Sequence, residues 1–210
     1  MDQPLRGLIV CLPDAALDDY VGAVEVLVQE GFSHLALPVG AEPFADVVGI
    51  FGARAGFGAS RVSLPEQVHA AADAGARFIL ADDSGSAIAD AAQQRGLPCF
   101  LPAMTPTEVR AVLEMPVAGA LLYPADVVGH AMAARLRELG LCDRVVPMGG
   151  VGAYAAGEWW KSGSRAVCVD SALLGDALTG GSLGLLRERC GSFRSVELRM
   201  LEEPAEPAVS

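Results

Sequence analysis

The chain has 210 residues, of which 52% are hydrophobic, and its 26 acidic and 15 basic side chains give a net charge of −11. A chain of this length and apolar content can bury one sizeable core and is not disordered. Its negative charge repels phosphate backbones and anionic lipid head groups, which argues against nucleic acid and membrane partners. We predict one domain over residues 1–201 and a disordered acidic, proline-rich tail over 202–210.

The N-terminal segment and the cysteines bear on the cellular compartment. The first residues lack the basic stretch of a signal peptide, and the apolar run at 8–12 is too short for its hydrophobic region. The five cysteines are odd in number and none has C-x-x-C spacing, so neither a disulfide framework nor a zinc site is predicted. We expect a cytoplasmic protein with buried, reduced thiols.

A repeating pattern along the chain predicts the fold class. Five helical stretches end in a glycine that can adopt the left-handed cap conformation, and a short apolar run follows each one. The apolar runs are continuous and do not alternate with polar residues, which is typical of strands buried on both faces. The pattern indicates a parallel sheet covered by helices. The capping glycines are Gly31, Gly75, Gly96, Gly140 and Gly163.

Eight strands are predicted, and a (β/α)8 barrel, the TIM barrel, is their natural closure. Amphipathic helices are predicted between most strands, for example at 65–74 and 130–139, and the weakest helical pattern lies at 41–53. A doubly wound open sheet is the competing architecture, although no G-x-G-x-x-G follows the first strand to support it. The predicted strands are 8–12, 33–39, 56–60, 78–81, 98–101, 119–123, 144–147 and 166–169.

Five short segments, taken in order, carry a family resemblance. They are SLPEQV at 63–68, AGARF at 74–78, PCFLPAMT at 98–105, LYPAD at 122–126 and VPMGGV at 146–151. Over roughly residues 20–174 the chain resembles the 2-keto-3-deoxy-6-phosphogluconate/4-hydroxy-2-oxoglutarate (KDPG/KHG) aldolase family. The resemblance implies a TIM barrel that forms a homotrimer and carries out class I aldolase chemistry, in which a lysine forms a Schiff base with an oxo acid.

The residues that the resemblance assigns to this chemistry are replaced. Leu121 stands at the position of the Schiff-base lysine, and Ala36 stands at the position of the acid/base glutamate. The family's carboxylate-binding arginine follows that glutamate, but here no arginine occurs before Arg54. An imine requires a primary amine, which arginine cannot supply because its guanidinium stays protonated. We therefore assign no catalytic residue.

Lys161 is the single lysine of the chain. It is predicted at the end of the helix before the eighth strand. In a TIM barrel that turn lies on the N-terminal face, whereas active sites lie on the C-terminal face. We expect a solvated lysine that complements the C-terminal end of its helix dipole.

The phosphate site that the resemblance implies is also altered. Gly149 and Gly150 match the family's first phosphate-binding turn, but the second turn contains Asp170 and Ser171. A carboxylate at ~4 Å from a bound anion costs roughly 4 kcal/mol at an effective dielectric of about 20. We predict weak or absent binding of phosphorylated sugar acids. The alternative is that Asp170 turns away and caps the next helix.

The strand ends supply the remaining candidates. Arg61 either binds a ligand carboxylate or forms an ion pair with Asp82 or Asp83. Carboxylates from strands four, six and eight converge on a divalent metal in one hypothesis, and in the other they are separate helix caps or solvated loop residues. The metal candidates are Asp82, Asp126 and Asp170, and the ligand-binding candidates are Arg61, Thr105, Tyr123, Gly149, Gly150, Asp170 and Ser171.

Two functions remain at this stage. The first is a catalytically altered family member that binds a small oxo acid or other carboxylate at the barrel mouth, with no cofactor. The second is an active lyase that yields pyruvate from 4-hydroxy-2-oxo acids by a metal-assisted or other route without a Schiff base. A structural role is the third possibility.

Overall fold

A computed structural model describes residues 5–202, with side chains for residues 5–200. The tail predicted at 202–210 lies almost wholly outside the described residues.

Eight parallel strands form a nearly closed barrel in the ladder order β7-β6-β5-β4-β3-β2-β1-β8. This confirms the predicted (β/α)8 barrel and rules out the open sheet. Each predicted strand is present, with ends shifted by at most two residues. The strands are β1 (Gly7–Cys11), β2 (His34–Pro38), β3 (Gly56–Val62), β4 (Ile79–Ala81), β5 (Cys99–Ala103), β6 (Gly119–Leu122), β7 (Val145–Pro147) and β8 (Ala166–Val169).

Helices alternate with the strands and pack around the barrel. All five predicted capping glycines have positive φ angles, between 65° and 110°, because the chain must reverse there from a helix into the next strand. The helices are α1 (Leu17–Gln29), α2 (Phe44–Phe51), α3 (Pro65–Asp73), α4 (Ser86–Gln94), α5 (Pro106–Leu113), α6 (Ala125–Val128), α7 (Ala131–Glu138), α8 (Ala153–Lys161), α9 (Ser171–Leu174) and α10 (Leu183–Glu202).

The strands bury apolar side chains on both faces. Leu8 and Val10 of β1 point outward into the large core between barrel and helices. Ile9 and Cys11 of the same strand point inward into a separate cluster inside the barrel. This alternation explains the uninterrupted apolar runs in the sequence.

Helix α10 is anchored at the N-terminal end of the barrel by a buried carboxylate. Glu197 is 7% exposed, and its Oε1 accepts a hydrogen bond of 2.9 Å from the Leu8 amide at the start of β1. Arg194, one helical turn earlier, forms an ion pair with Glu197. The buried charge is therefore both paired and hydrogen-bonded, as burial requires.

None of the helices in the described part of the chain combines the length and apolar character needed to cross a membrane.

Gly58 is required by packing inside the barrel. A Cβ at this position would overlap the ring of Phe78, which is 1% exposed. We expect Gly58→Ala to lower the free energy of unfolding by about 1–3 kcal/mol, because overpacking a dense core displaces its neighbours. Urea unfolding monitored by circular dichroism measures this.

Gly49→Ala is the matched control for that substitution. Gly49 lies on the exposed side of α2, and nothing lies within 4 Å of its Cβ position. Alanine favours a helix over glycine by roughly 0.5–1 kcal/mol, so this variant should be as stable as the unmodified chain or slightly more stable. Equal loss in both variants would contradict the packing account.

Candidate ligand site at the barrel mouth

A pocket of about 490 Å³ opens at the carboxyl ends of the strands. Apolar residues that face the barrel interior form its floor, and both apolar and polar residues form its walls. The apolar and sulfur-containing residues that line it are Cys11, Leu12, Pro13, Ala81, Leu121, Met148, Leu174, Gly175 and Leu178. The polar residues that line it are Ser60, Arg61, Asp82, Tyr123, Asp170, Ser171 and Thr179.

Arg61 has an unusual backbone conformation. It lies within β3, and not after that strand as predicted, and its φ of 58° makes it the one non-glycine residue with positive φ in the described chain. The ladder between β3 and β4 pairs Ala59 with Ile79 and then Val62 with Ala81. β3 thus contains one extra residue there, which is a β-bulge. A left-handed conformation costs an L-residue roughly 1–2 kcal/mol, and such strain is concentrated at functional sites.

The guanidinium of Arg61 is available to a ligand. Across the described residues, the ion pairs that form do not include Arg61, so the alternative of a direct pair with Asp82 or Asp83 is not observed. Burial raises the pKa of Asp82, and the charge of Arg61 partly opposes that rise. The two side chains therefore interact electrostatically within the same pocket without forming an ion pair.

Ser60, next to Arg61, was not predicted as a site residue. It is 3% exposed and lines the pocket. Within the described part of the chain its hydroxyl takes part in none of the side-chain hydrogen bonds, and no fully buried side-chain oxygen or nitrogen lacks a partner. Its free hydrogen-bonding capacity is therefore directed into the pocket. The signal in the sequence was the alternation along β3, which turns Gly58 and Ser60 inward.

The two positions at which the resemblance predicts replaced catalytic residues, Leu121 and Ala36, lie inside the barrel. Leu121 and Ala36 belong to the same inward-facing apolar cluster and are 2% and 0% exposed. Leu121 forms part of the pocket floor. The floor therefore presents hydrocarbon at this position and supplies no amine.

Asp170 binds the turn that carries the two predicted glycines. Gly149 and Gly150 have φ angles of 100° and 64°. The Gly150 amide donates a 3.1 Å hydrogen bond to Asp170 Oδ2, and Ser171 Oγ lies 3.4 Å from Asp170 Oδ1. Asp170 makes no capping hydrogen bond to α9, so the predicted alternative of a helix cap is not observed. Neither glycine lines the pocket.

Thr105 lies away from the pocket, contrary to expectation. Its hydroxyl accepts a hydrogen bond from the Glu108 amide at 3.3 Å, and Glu108 Oε2 accepts from the Thr105 amide at 2.8 Å. This reciprocal pair is a capping box at the start of α5. The side chain that we expected to bind ligand stabilises a helix terminus.

The predicted metal centre does not assemble. Among residues 5–200, no three His, Cys, Asp or Glu side chains are grouped so that they could hold a metal ion. Asp82 lies near Arg61, whereas Asp126 packs against Gly150, where its Oδ2 is 2.7 Å from the position that a Cβ would take. The expectation that strand parity would bring Asp82, Asp126 and Asp170 together was wrong, because Asp126 turns toward the glycine turn.

Lys161 occupies the predicted place at the end of α8. Its Nζ lies 2.8 Å from Glu158 Oε1, and its side chain is 58% exposed. The following strand begins at Ala166, which pairs with Gly7 at the start of β1. Lys161 is therefore near the N-terminal end of the barrel, on the face opposite the mouth pocket.

A second pocket, of about 480 Å³, lies at that N-terminal face. His34, Arg54 and Arg77 are among its lining residues. Arg54 is paired with Glu25 at 2.7 Å, and Arg77 donates to the Gly52 carbonyl at 2.8 Å. Since the polar groups here are already engaged and TIM-barrel ligand sites lie at the opposite face, the mouth pocket is the candidate site.

The eight-stranded barrel defines a TIM-barrel protein, and its mouth pocket at the C-terminal face is the candidate ligand site. The family model "KDPG and KHG aldolase" matches residues 6–181. The chain therefore belongs to the KDPG and KHG aldolase family.

Individual relatives agree with this assignment. The chain is 26% identical over 183 residues to a probable 2-dehydro-3-deoxy-6-phosphogalactonate aldolase of Rhizobium meliloti (strain 1021), covering 85% of this chain and 86% of that protein. A structure described as native KDPGal has a TM-score of 0.83 at 22% identity, covering 93% of this chain and 96% of that one. The 4-hydroxy-2-oxoglutarate aldolase/2-deydro-3-deoxyphosphogluconate aldolase from TTHB1 has a TM-score of 0.77 at 25% identity, covering 90% and 93%.

The strain at Arg61 leads to a stability prediction. Glycine adopts positive φ without steric cost, whereas alanine keeps the Cβ that causes the strain. We expect Arg61→Gly to be about 1 kcal/mol more stable than Arg61→Ala in urea unfolding. Both variants lack the guanidinium, so the comparison isolates the backbone; equal stability would show that the bulge is unstrained.

Proposed function

We propose that this aldolase-family barrel binds a small 2-oxo carboxylate at its mouth and forms no Schiff base with it. The proposal rests chiefly on Arg61. Its backbone is strained, its guanidinium has no ion-pair partner among the described residues, and it lines a pocket with a hydrocarbon floor. A cation held in this way in a chain of net charge −11 favours an anionic ligand.

Arg61 and Ser60 are suited to a carboxylate together. A guanidinium matches the geometry of a carboxylate and can bind it through two parallel hydrogen bonds. The adjacent Ser60 hydroxyl has a free hydrogen to donate to the same ligand or to its oxo group. The apolar floor accommodates a short carbon chain.

The absence of imine chemistry follows from the positions that the family resemblance identifies. Leu121 replaces the amine, and Ala36 replaces the acid/base carboxylate, while both side chains keep the inward direction that such groups would need. Lys161 lies at the other end of the barrel. A lysine side chain reaches about 6 Å, whereas even the shortest barrel strands, with three residues, span about 10 Å at about 3.3 Å per residue.

The ligand is proposed to lack a phosphate group. In the family the Gly-Gly turn holds phosphate with its amides, but here the Gly150 amide is already bonded to Asp170. A phosphate at that turn would have to displace a carboxylate and remain next to its negative charge. The Gly150 amide, which a phosphorylated ligand would need as a hydrogen-bond donor, is thus already used by Asp170.

Assembly and location remain predictions. We expect the homotrimer that the family resemblance implies and a cytoplasmic location. Val127 and Tyr154 are 69% and 70% exposed, and burying such apolar side chains in a subunit contact would lower the free energy of the assembly.

An active lyase that works without an imine is the second candidate, and Asp82 favours it. A carboxyl whose pKa is raised by burial is suited to general acid/base catalysis near neutral pH. Release of pyruvate from 4-hydroxy-2-oxo acids would distinguish this candidate from a protein that only binds.

Titration calorimetry with pyruvate tests the proposed site. We expect saturable binding to the unmodified chain and an affinity at least about tenfold lower for Arg61→Gln, because a charge-assisted hydrogen bond contributes roughly 1.5–3 kcal/mol. Inorganic phosphate should give no comparable binding signal.

Arg54→Gln is the matched control, since Arg54 is an exposed arginine at the opposite face that pairs with Glu25. It should bind pyruvate as the unmodified chain does. Equal pyruvate affinity in all three proteins, or preferential binding of phosphate, would contradict the proposal.

A further inference from the structure

Cys11 occupies the floor of the mouth pocket. It ends strand β1, faces the barrel interior and is 6% exposed. All five cysteines lie within the described residues and are free thiols, and Cys11 is the one that lines this pocket. A ligand held at the mouth would thus meet one thiol.

A second thiol, that of Cys168, lies next to Cys11 in the barrel interior. Cys168 also faces the barrel interior, on strand β8, and is 1% exposed. Strands β8 and β1 are paired, with Ile9 opposite Cys168. Burial, and next the neighbouring Cys11 thiol, raise the pKa of Cys168 well above its usual value. Cys168 therefore stays protonated next to Cys11.

The same pocket contains groups that would orient a carbonyl compound over Cys11. Arg61 supplies a cation for a carboxylate, and Ser60, a residue that is 3% exposed, supplies a hydroxyl that opens onto the pocket. This hydroxyl has no hydrogen-bond partner among the described residues and can donate to an acceptor on a bound ligand. A 2-oxo acid has both features side by side: a carboxylate for Arg61 and a carbonyl oxygen for Ser60.

We propose that Cys11 captures the ligand covalently, by reversible addition of its thiol to the carbonyl carbon of a 2-oxo acid. This inference rests on the proposed function, because it places the carboxylate at Arg61. The Sγ–C bond forms as the π bond of the carbonyl opens, and the thiol proton goes to the carbonyl oxygen. The product is a thiohemiketal. No electron is lost or gained and no group leaves.

Thiol addition fits this pocket better than imine formation. A thiol needs no primary amine and releases no water, and sulfur is a strong nucleophile even when few thiolates are present. Ser60 can donate a hydrogen bond to the oxygen on which negative charge develops during addition. Because the reaction is reversible, the site would retain its ligand for longer without consuming it.

Carbon-13 NMR with [2-¹³C]pyruvate tests the proposal. We expect the unmodified protein to produce a tetrahedral C2 resonance distinct from those of free pyruvate and its hydrate, and Cys11→Ser to lose it. Cys190→Ser is the control, since Cys190 lies in α10 within the outer core, and it should retain the resonance. A resonance that persists in Cys11→Ser, or is absent from the unmodified protein while pyruvate binds, would overturn the proposal.

Bromopyruvate gives an irreversible second readout, because Cys11 displaces bromide and adds a fixed mass. We expect Cys11→Ser to be labelled at least about tenfold more slowly than the unmodified chain, and Arg61→Gln to slow bromopyruvate but not neutral iodoacetamide. Labelling at another cysteine would overturn the role of Cys11. If bromopyruvate instead labels Cys11 equally fast in Arg61→Gln and in the unmodified chain, Arg61 does not bind the carboxylate, and the proposed function is contradicted.

Discussion

The inward direction of alternate side chains on a closed parallel barrel is the constraint on which the site depends. Each strand offers few positions to the interior, so the residue at each one decides what the mouth can do. Leu121 and Ala36 place hydrocarbon at two of these positions, and Cys11 places sulfur at a third. The barrel of the aldolase family is present, and the inward-facing residues at its mouth form a hydrophobic floor with one accessible thiol.

The polar groups above that floor divide into engaged and available ones. Asp170 is engaged, since it accepts a hydrogen bond from the Gly150 amide. Outside the pocket, Thr105 is engaged in the capping box of α5. Arg61 and Ser60 remain available, and both come from the irregular part of β3. The bulge thus places two groups that can bind a ligand next to each other on one strand of the mouth, where the backbone of Arg61 is strained.

The fold could be predicted from the sequence because its signals are local. A glycine after a helix predicts the end of that helix, and an uninterrupted apolar run predicts a strand buried on both faces. The site could be predicted only in part. The bulge depends on the register between β3 and β4, so no pattern near Arg61 reveals it. The capping box of Thr105 could have been predicted from Glu108, which stands three residues later. Ser60 and Cys11 belong to no motif; strand alternation alone could have placed them inward.

The most direct test of the central claim is incubation with pyruvate and sodium borohydride, read by intact mass, with Lys161→Arg as the control. Borohydride reduces an imine to a stable secondary amine, whereas a thiohemiketal contains no imine to reduce. We predict no reduced adduct in either protein. A stable adduct that disappears in Lys161→Arg would show that this lysine reaches a bound carbonyl, which would contradict both its position at the N-terminal face and a mouth site without Schiff-base chemistry.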